Sequence, residues 1–227
     1  RRDYKRTCNR NFNGQGYIVN IEKINDFWVP SDDVHRQKWI DGAKLMQNKC
    51  ILKFLNYCDV KKIRFRTVLD IGAWCGTWSK LVQPYANIII AFEPDPLHFH
   101  CLQKNNIENC HPIRQAVGNE TKNVALTNDN FTQKKRVSGD GDIEMVRIDD
   151  CNFQDVDFIK IDVEGYELEV LKGAKETLQN VDYVMIELNG NTEKYGSSNK
   201  ECINFIKKQG FKMVMKVWPD KIFKRIK

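Results

Sequence analysis

Short runs of apolar residues alternate with stretches of helical spacing through most of the chain. The runs typical of strands are TVLDIG, NIIIAFE, IRQAVG, VDFIKID and VDYVMIEL. The stretches between them predict helices at TWSKLVQPYA, PLHFHCLQKNN, YELEVLKGAKETLQ and NKECINFIKKQ. The last segments, FKMVMKVW and KIFKRI around Pro219-Asp220, predict an antiparallel hairpin. This order predicts an α/β fold with a mostly parallel sheet, helices on both faces and a hairpin at one edge.

The segment that precedes the alternating region has a different pattern. Residues 17–30 are irregular apart from a short strand. A helix with Ser31 as its N-cap continues to about residue 58, because apolar residues recur there at helical spacing. We therefore divide the chain into an N-terminal extension, which would cap the substrate, at 1–60 and a main domain at 61–227.

A polar loop interrupts the second half of the main domain. Residues 127–142 are rich in Asn, Asp, Gly, Lys and Arg and poor in apolar residues. The patterns at 123–127 and 143–149 predict extra strands on either side of this loop. Long polar loops at the edge of a sheet are commonly functional, so we expect a mobile loop that contacts the substrate.

The strand VDFIKID ends in charged residues, although a buried carboxylate is costly unless it is paired or solvated. Asp162 stands at the carboxyl end of this strand, so we expect it to face a cleft and not the core. The next strand ends with Glu187 and Asn189, which lie two residues apart and therefore on one side. Parallel neighbours would bring the three side chains together. Lys160 is placed to pair with one of the acids and keep it ionised.

A glycine turn follows the first strand, in LDIGAWCGTWS. Gly72 and Gly76 allow a tight turn and the close approach of a ligand. A dinucleotide fingerprint needs glycine where this chain has Trp74, which disfavours a pyrophosphate and with it a dehydrogenase. Glu93 lies about 20 residues further on, where an acid accepts hydrogen bonds from ribose hydroxyls. Ala116, at the end of the third strand, is small and apolar enough to lie along an adenine.

Together these segments resemble the FkbM-type methyltransferase family. VLDIGAWCGTWS is similar to its first motif and AFEPDP to its second, and VDFIKIDVEGYELEVLKGA is the most specific match. The likeness covers about residues 66–190, and the closing hairpin loosely. It implies a class I methyltransferase (Rossmann-like) fold and S-adenosylmethionine-dependent methylation, usually at an oxygen of a sugar or small metabolite. The cofactor-binding residues expected on this basis are Asp70, Gly72, Ala73, Gly76, Glu93, Ala116 and Asp162.

The resemblance leaves two roles open for the acids. In the first, Asp162, Glu187 and Asn189 bind Mg²⁺, which holds the acceptor hydroxyl and lowers its pKa. In the second, Asp162 binds the amine of the cofactor's methionine, Glu164 and Glu167 cap the following helix, and Glu187 is a base without a metal. Asp162 and Glu187 are the main candidates for a catalytic base or metal ligand.

Composition and charge narrow the range of partners. The net charge of +6 is concentrated at the two ends of the chain, so the body has no broad basic face for nucleic acid. No apolar run is long enough to span a membrane, and no secretory signal is visible. The eight cysteines lack zinc-site spacing and suit buried thiols. We therefore expect a cytoplasmic enzyme that acts on a small-molecule or carbohydrate acceptor.

Three alternatives stay open at this stage. His35, on the N-terminal helix, is a third candidate base. An RNA ribose 2′-O-methyltransferase would use Lys44 and Asp162, but it needs a second lysine where this chain has Glu187. A catalytically silent methyltransferase fold that serves as a binding or assembly module would bind the cofactor without turnover.

Overall fold

The computed structural model describes residues 21–31, 49–127 and 136–226 of the chain. The strands are β1 (Ile21–Ile24), β2 (Phe27–Pro30), β3 (Phe65–Ile71), β4 (Ala86–Phe92), β5 (Cys110–Ile113), β6 (Ala116–Val117), β7 (Lys122–Leu126), β8 (Val137–Val146), β9 (Val156–Ile161), β10 (Tyr183–Glu187), β11 (Phe211–Val217) and β12 (Asp220–Arg225). The α-helices are α1 (Lys49–Lys61), α2 (Thr77–Val82), α3 (Pro96–Lys104), α4 (Glu167–Gly173) and α5 (Asn199–Lys208).

Within these segments a seven-stranded sheet has the order β11-β12-β10-β9-β3-β4-β5. The strands from β10 to β5 run parallel to their neighbours, whereas β12 is antiparallel to both β10 and β11. The predicted α/β fold, with a mostly parallel sheet and a C-terminal antiparallel hairpin, is therefore confirmed. Smaller sheets pair β1 with β2 and join β6, β8 and β7.

Both faces of the large sheet are buried, as parallel sheets require. On one face, Phe158 of β9 packs against Phe54 of α1 with ring centroids 5.4 Å apart. On the other face, Ile159 and Ile161 belong to a second core cluster that includes Leu171 of α4. Every residue of β9 is buried, and its two charged residues are paired: Asp157 with Arg66 and Lys160 with Asp70.

Two predicted elements differ from the structure. The third predicted strand divides, because Cys110–Ile113 joins the large sheet and Ala116–Val117 joins the small one. The predicted loop 127–142 is wrong in its second half, since residues 137–142 belong to β8. This stretch is largely exposed, and an antiparallel strand tolerates polar residues on a solvated face. Residues 128–135 of that loop lie outside the described segments.

The first described segment is held against the main sheet by α3. Trp28 N donates to Asn105 Oδ1 at 2.6 Å, and Asn105 Nδ2 donates to Cys75 O at 2.8 Å. Residues 32–48, with the candidates His35 and Lys44, are outside the described segments. The division at residue 60 stays a prediction.

Two further expectations concern membrane-spanning helices and the state of the cysteines. None of these helices is both long and apolar enough to cross a membrane. The cysteines in the described segments are free thiols, and most of them are buried as predicted, whereas Cys110 and Cys151 are half-buried. The cytoplasmic location stays a prediction.

Candidate active site

A cavity of about 500 Å³ opens at the carboxyl ends of the parallel strands. Gly72 and Ala73 reach it directly after β3, and Glu93 reaches it directly after β4. Asp162 follows β9 and Glu187 ends β10, and both line the same cavity. Ligands of open α/β sheets bind at this end of the strands. This cleft is therefore the candidate active site.

Gly72 brings the ends of two strands together. Its φ of +79° lies in the left-handed region, and a Cβ at this position would lie 1.8 Å from Asp162 O. The amides of Gly72 and Ala73 both donate to Phe92 O, at 3.0 and 2.9 Å. Only glycine permits this approach of β3 to β9, so the turn is fixed beside the acid cluster.

Glu93 is a buried carboxylate held at the cleft wall. Its Oε2 accepts from Trp74 N at 2.8 Å, and its Oε1 accepts from Asp95 N at 2.9 Å. Asp95, rather than Glu93, caps α3, because its side chain accepts from the amides of Leu97 and His98. Glu93 is therefore oriented toward the cleft by the main chain and keeps further lone pairs for a ligand.

Two residues predicted to contact the cofactor do not line the cleft. Gly76 packs closely against α3, since a Cβ at this position would lie 2.6 Å from Leu102 Cδ1. Asp70 is fully buried, accepts from Ser79 Oγ at 2.6 Å and pairs with Lys160 Nζ at 3.0 Å. Both residues therefore support the site from behind it.

Lys160 is the buried cation beneath the cleft. Its Nζ lies 3.0 Å from Asp70 and 3.7 Å from Asp162, and donates to Gly72 O at 2.6 Å. Burial opposes its charged form, but Asp70 and Asp162 outweigh burial and raise the pKa of Lys160. Lys160 therefore stays charged and connects the glycine turn to the acids. The sequence predicted that Lys160 pairs with one of the cleft acids, and that acid is Asp162.

The acids themselves form a close cluster. Oxygen atoms of Asp162, Glu164 and Glu187 lie within 4.8 Å of one another. Burial, followed by the charge of Asp162, raises the pKa of Glu187 far above its usual range. The Asp162–Glu187 pair therefore retains a proton at neutral pH. Glu164 Oε2 accepts from Asn191 Nδ2 at 2.7 Å, which fixes the third acid from the following loop.

The structure does not bring Asn189 into this cluster. Asn189 is exposed, lies outside the cleft lining, and accepts from Asn191 N at 3.0 Å. The third member of the cluster is Glu164 instead of the predicted Asn189. Glu167 is buried and accepts from Gly165 N at 2.9 Å, so it holds the turn before α4 instead of facing the cleft.

Asp220 is a cleft acid that the sequence reasoning missed. It begins β12, pairs with Glu187 in the β10–β12 register, and lines the cleft. Burial, with a smaller contribution from Asp162, raises the pKa of Asp220 to about 7. The sequence showed it only as the second residue of a Pro-Asp turn. Its place beside the acids depends on strand register, for which the local pattern holds no signal.

The small sheet forms another wall of the cleft. Ala116 is buried and lines the cavity, together with Leu126 at the end of β7 and Val137 at the start of β8. Leu126 and Val137, which flank the predicted loop, therefore both lie at the cleft. A substrate contact of the loop itself stays a prediction.

A comparison with protein families matches residues 69–213 to the methyltransferase FkbM domain. Among curated proteins, the hexuronic acid methyltransferase AglP of Haloferax volcanii is 30% identical over 140 residues. The match covers 55% of this chain and 56% of the relative, so it spans about half the length of the curated relative.

Solved structures show the same fold. Methyltransferase FkbM from Methylobacillus flagellatus KT has a TM-score of 0.51 at 18% identity, over 70% of this chain and 43% of that one. Magnesium protoporphyrin IX methyltransferase from Synechocystis PCC 6803 has a TM-score of 0.50 at 8% identity, over 95% and 87% of the two chains. At these identities the likeness is one of fold.

Proposed function

Because the chain belongs to the FkbM methyltransferase family, we propose that it is an S-adenosylmethionine-dependent enzyme that methylates a hydroxyl group of a sugar. The observation that carries this proposal is one cleft in which a glycine turn and the buried Glu93 lie beside the paired acids Asp162 and Glu187. The name of the relative AglP, a hexuronic acid methyltransferase, favours a carbohydrate acceptor.

The wall formed after β3 and β4 fits the cofactor. Glu93 is an anchored acceptor for ribose hydroxyls, and the turn at Gly72 and Ala73 exposes main chain to the cavity. Ala116 offers a small apolar surface for the adenine. When bound, S-adenosylmethionine supplies a methyl group that its sulfonium has already activated.

The acids have two tasks toward the acceptor: they orient its hydroxyl and they take its proton. Asp162 lies 3.7 Å from Lys160 Nζ and so stands beside the buried cation. Glu187 carries the proton that the pair shares, and the acceptor's proton passes to this pair. His35 stays a predicted third base outside the described segments.

Mg²⁺ is the second candidate for this cluster, bound by Asp162, Glu164 and Glu187 instead of the predicted set with Asn189. Such a cation would hold the acceptor hydroxyl and lower its pKa. We favour the mechanism without a metal, because Lys160 Nζ lies 3.7 Å from Asp162 and already places a positive charge beside the cluster.

Turnover on a defined acceptor panel tests the function. The panel contains methyl glycosides of neutral hexoses and hexuronic acids, a catechol and a short RNA, with S-adenosylmethionine binding measured separately by calorimetry. A methyl ether formed on a sugar, identified by mass spectrometry, is the expected result. Cofactor binding without turnover on any acceptor would favour the silent module, and methylation of the RNA alone would favour the ribose enzyme.

The cofactor assignment predicts a specific loss of affinity. Glu93→Ala should weaken binding of S-adenosylhomocysteine by about 1–3 kcal/mol, because hydrogen bonds from a ligand to a charged group are lost. Calorimetry measures the dissociation constant. The control Glu108→Ala removes an exposed acid outside the cleft lining and should leave the constant unchanged. Equal affinities of wild type and Glu93→Ala would contradict the assignment.

A further inference from the structure

Trp218 is a large apolar side chain that the fold leaves in water at the cleft. Its exposed fraction is 68%, and it lines the same cavity as Asp162 and Glu187. A single exposed apolar residue is ordinary elsewhere on a protein surface. Here the indole stands at the entrance to a substrate cleft, where aromatic side chains commonly contact ligands.

The turn that carries Trp218 is fixed by its neighbours. Pro219 O accepts from Leu188 N at 3.2 Å and from Lys221 Nζ at 3.0 Å. The same Nζ, on a buried lysine, lies 5.5 Å from the centroid of the indole ring. A cation that contacts the ring restrains it without covering it, so the indole is presented as a fixed surface.

Asp220 lies directly beyond this turn and lines the same cleft. Its register partner is Glu187, so the chain passes from the exposed indole at Trp218 to the acid cluster within three residues. An apolar ring and a carboxylate therefore stand next to each other on the path from solvent to the acids.

We infer that Trp218 and Asp220 form the acceptor-binding subsite: the sugar ring stacks on the indole, and the Asp220 carboxylate accepts a hydrogen bond from a ring hydroxyl. This inference rests on the proposed function and extends it to the residues that bind the acceptor. A pyranose has apolar C–H faces and a polar edge, and this pair of side chains matches both. The methylated hydroxyl then reaches Asp162 and Glu187.

A nucleobase would also stack on an indole. Nucleic acid, however, would bring phosphates toward the carboxylates of Asp162, Glu164 and Asp220, and like charges would repel. The surroundings of Trp218 therefore favour a sugar over a nucleotide as the stacked group.

The test uses the full chain with Trp218→Ala, Trp218→Phe and Asp220→Asn. The control is Leu52→Ala, which truncates another exposed apolar residue, 53% accessible, outside the cleft lining. The probes are methyl glycosides of glucose, galactose, mannose and glucuronic acid. Their binding to the S-adenosylhomocysteine-loaded protein is followed by saturation-transfer NMR, and KM and kcat are measured for each glycoside that is methylated.

Trp218→Ala should raise KM or the glycoside dissociation constant about tenfold, which corresponds to about 1.4 kcal/mol, because the sugar loses its apolar contact. Trp218→Phe keeps an aromatic ring and should stay close to wild type. Asp220→Asn should also raise KM, and the affinity for S-adenosylhomocysteine should stay unchanged in all variants. If wild type methylates a glycoside and Trp218→Ala has an unchanged KM, the subsite is wrong while the proposed function stands. If wild type neither binds nor methylates any glycoside, both are wrong.

Discussion

Replacing Asp162 or Glu187 by the corresponding amide is expected to lower kcat by roughly 10²- to 10⁴-fold, the contribution of a positioned acid or base. The amide at position 162 keeps the shape of the side chain but cannot accept a proton, and the amide at position 187 has no acidic proton for the pair to share or release. Both residues line the cleft, and their oxygens belong to the cluster whose members lie within 4.8 Å of one another. Single-turnover methylation of the best acceptor is the appropriate measurement, since it isolates the chemical step.

Calorimetry with S-adenosylhomocysteine separates the two roles proposed for Asp162. A base leaves cofactor affinity unchanged when it becomes an amide, whereas a ligand of the cofactor's amine weakens binding. Glu169→Gln is a control, because Glu169 pairs with Lys172 away from the cleft lining. Unchanged kcat in both Asp162→Asn and Glu187→Gln would contradict the mechanism.

The raised pKa of Glu187 gives this prediction a pH dependence. Below that pKa the pair holds one proton and has one carboxylate left to receive the acceptor's proton. As Glu187 releases its proton at higher pH, the pair gains a negative charge and becomes a stronger base, so activity should rise further. Glu187→Gln should remove or displace this rise, whereas the control Glu169→Gln should retain it.

A chelator tests the alternative in which Mg²⁺ binds the acids. Full activity in its presence supports the acid pair alone, and a loss of activity that Mg²⁺ restores supports a metal.

The acid pair could be predicted from the sequence, because the local pattern and the sheet topology agree at this point. Two successive buried strands each end in an acid, and parallel neighbours bring their carboxyl ends to the same edge. The structure places β9 beside β10, so Asp162 and Glu187 meet as expected. The position of Glu93 in the cleft could be predicted for the same reason, since it directly follows β4, another parallel strand of the same sheet.

Other residues of the site depend on information that a local pattern lacks. Asp220 reaches the acids through the register of β12 on β10, which long-range pairing determines. Asp70 and Gly76 belong to a recognisable motif, yet a motif fixes chain position and not the direction in which a side chain packs. Asn189 has the right strand parity, but the chain leaves the sheet after Glu187 and the rule of alternation no longer applies.

Lys160→Met is expected to lower the free energy of unfolding by about 3–5 kcal/mol, because removal of one partner leaves a buried charge uncompensated. Asp70 has no exposed surface, and its carboxylate lies 3.0 Å from Lys160 Nζ. Because small domains are stable by only about 5–15 kcal/mol, this single change removes a large share of the total. Urea denaturation followed by circular dichroism measures the loss.

Two further variants test whether the buried pair of Lys160 and Asp70 causes the loss of stability. The double variant Asp70→Asn with Lys160→Met removes both charges and should recover much of the lost stability. Lys172→Met breaks a pair with Glu169 whose lysine is 45% exposed, and should cost less than about 1 kcal/mol. If Lys160→Met were no more destabilising than Lys172→Met, Lys160 would not support the fold.

The same double variant makes a prediction about catalysis. Even with its stability recovered, it lacks the cation near Asp162 and should remain a poor enzyme. Recovery of stability without recovery of kcat would therefore separate the structural role of Lys160, toward Asp70, from its electrostatic role toward the acids.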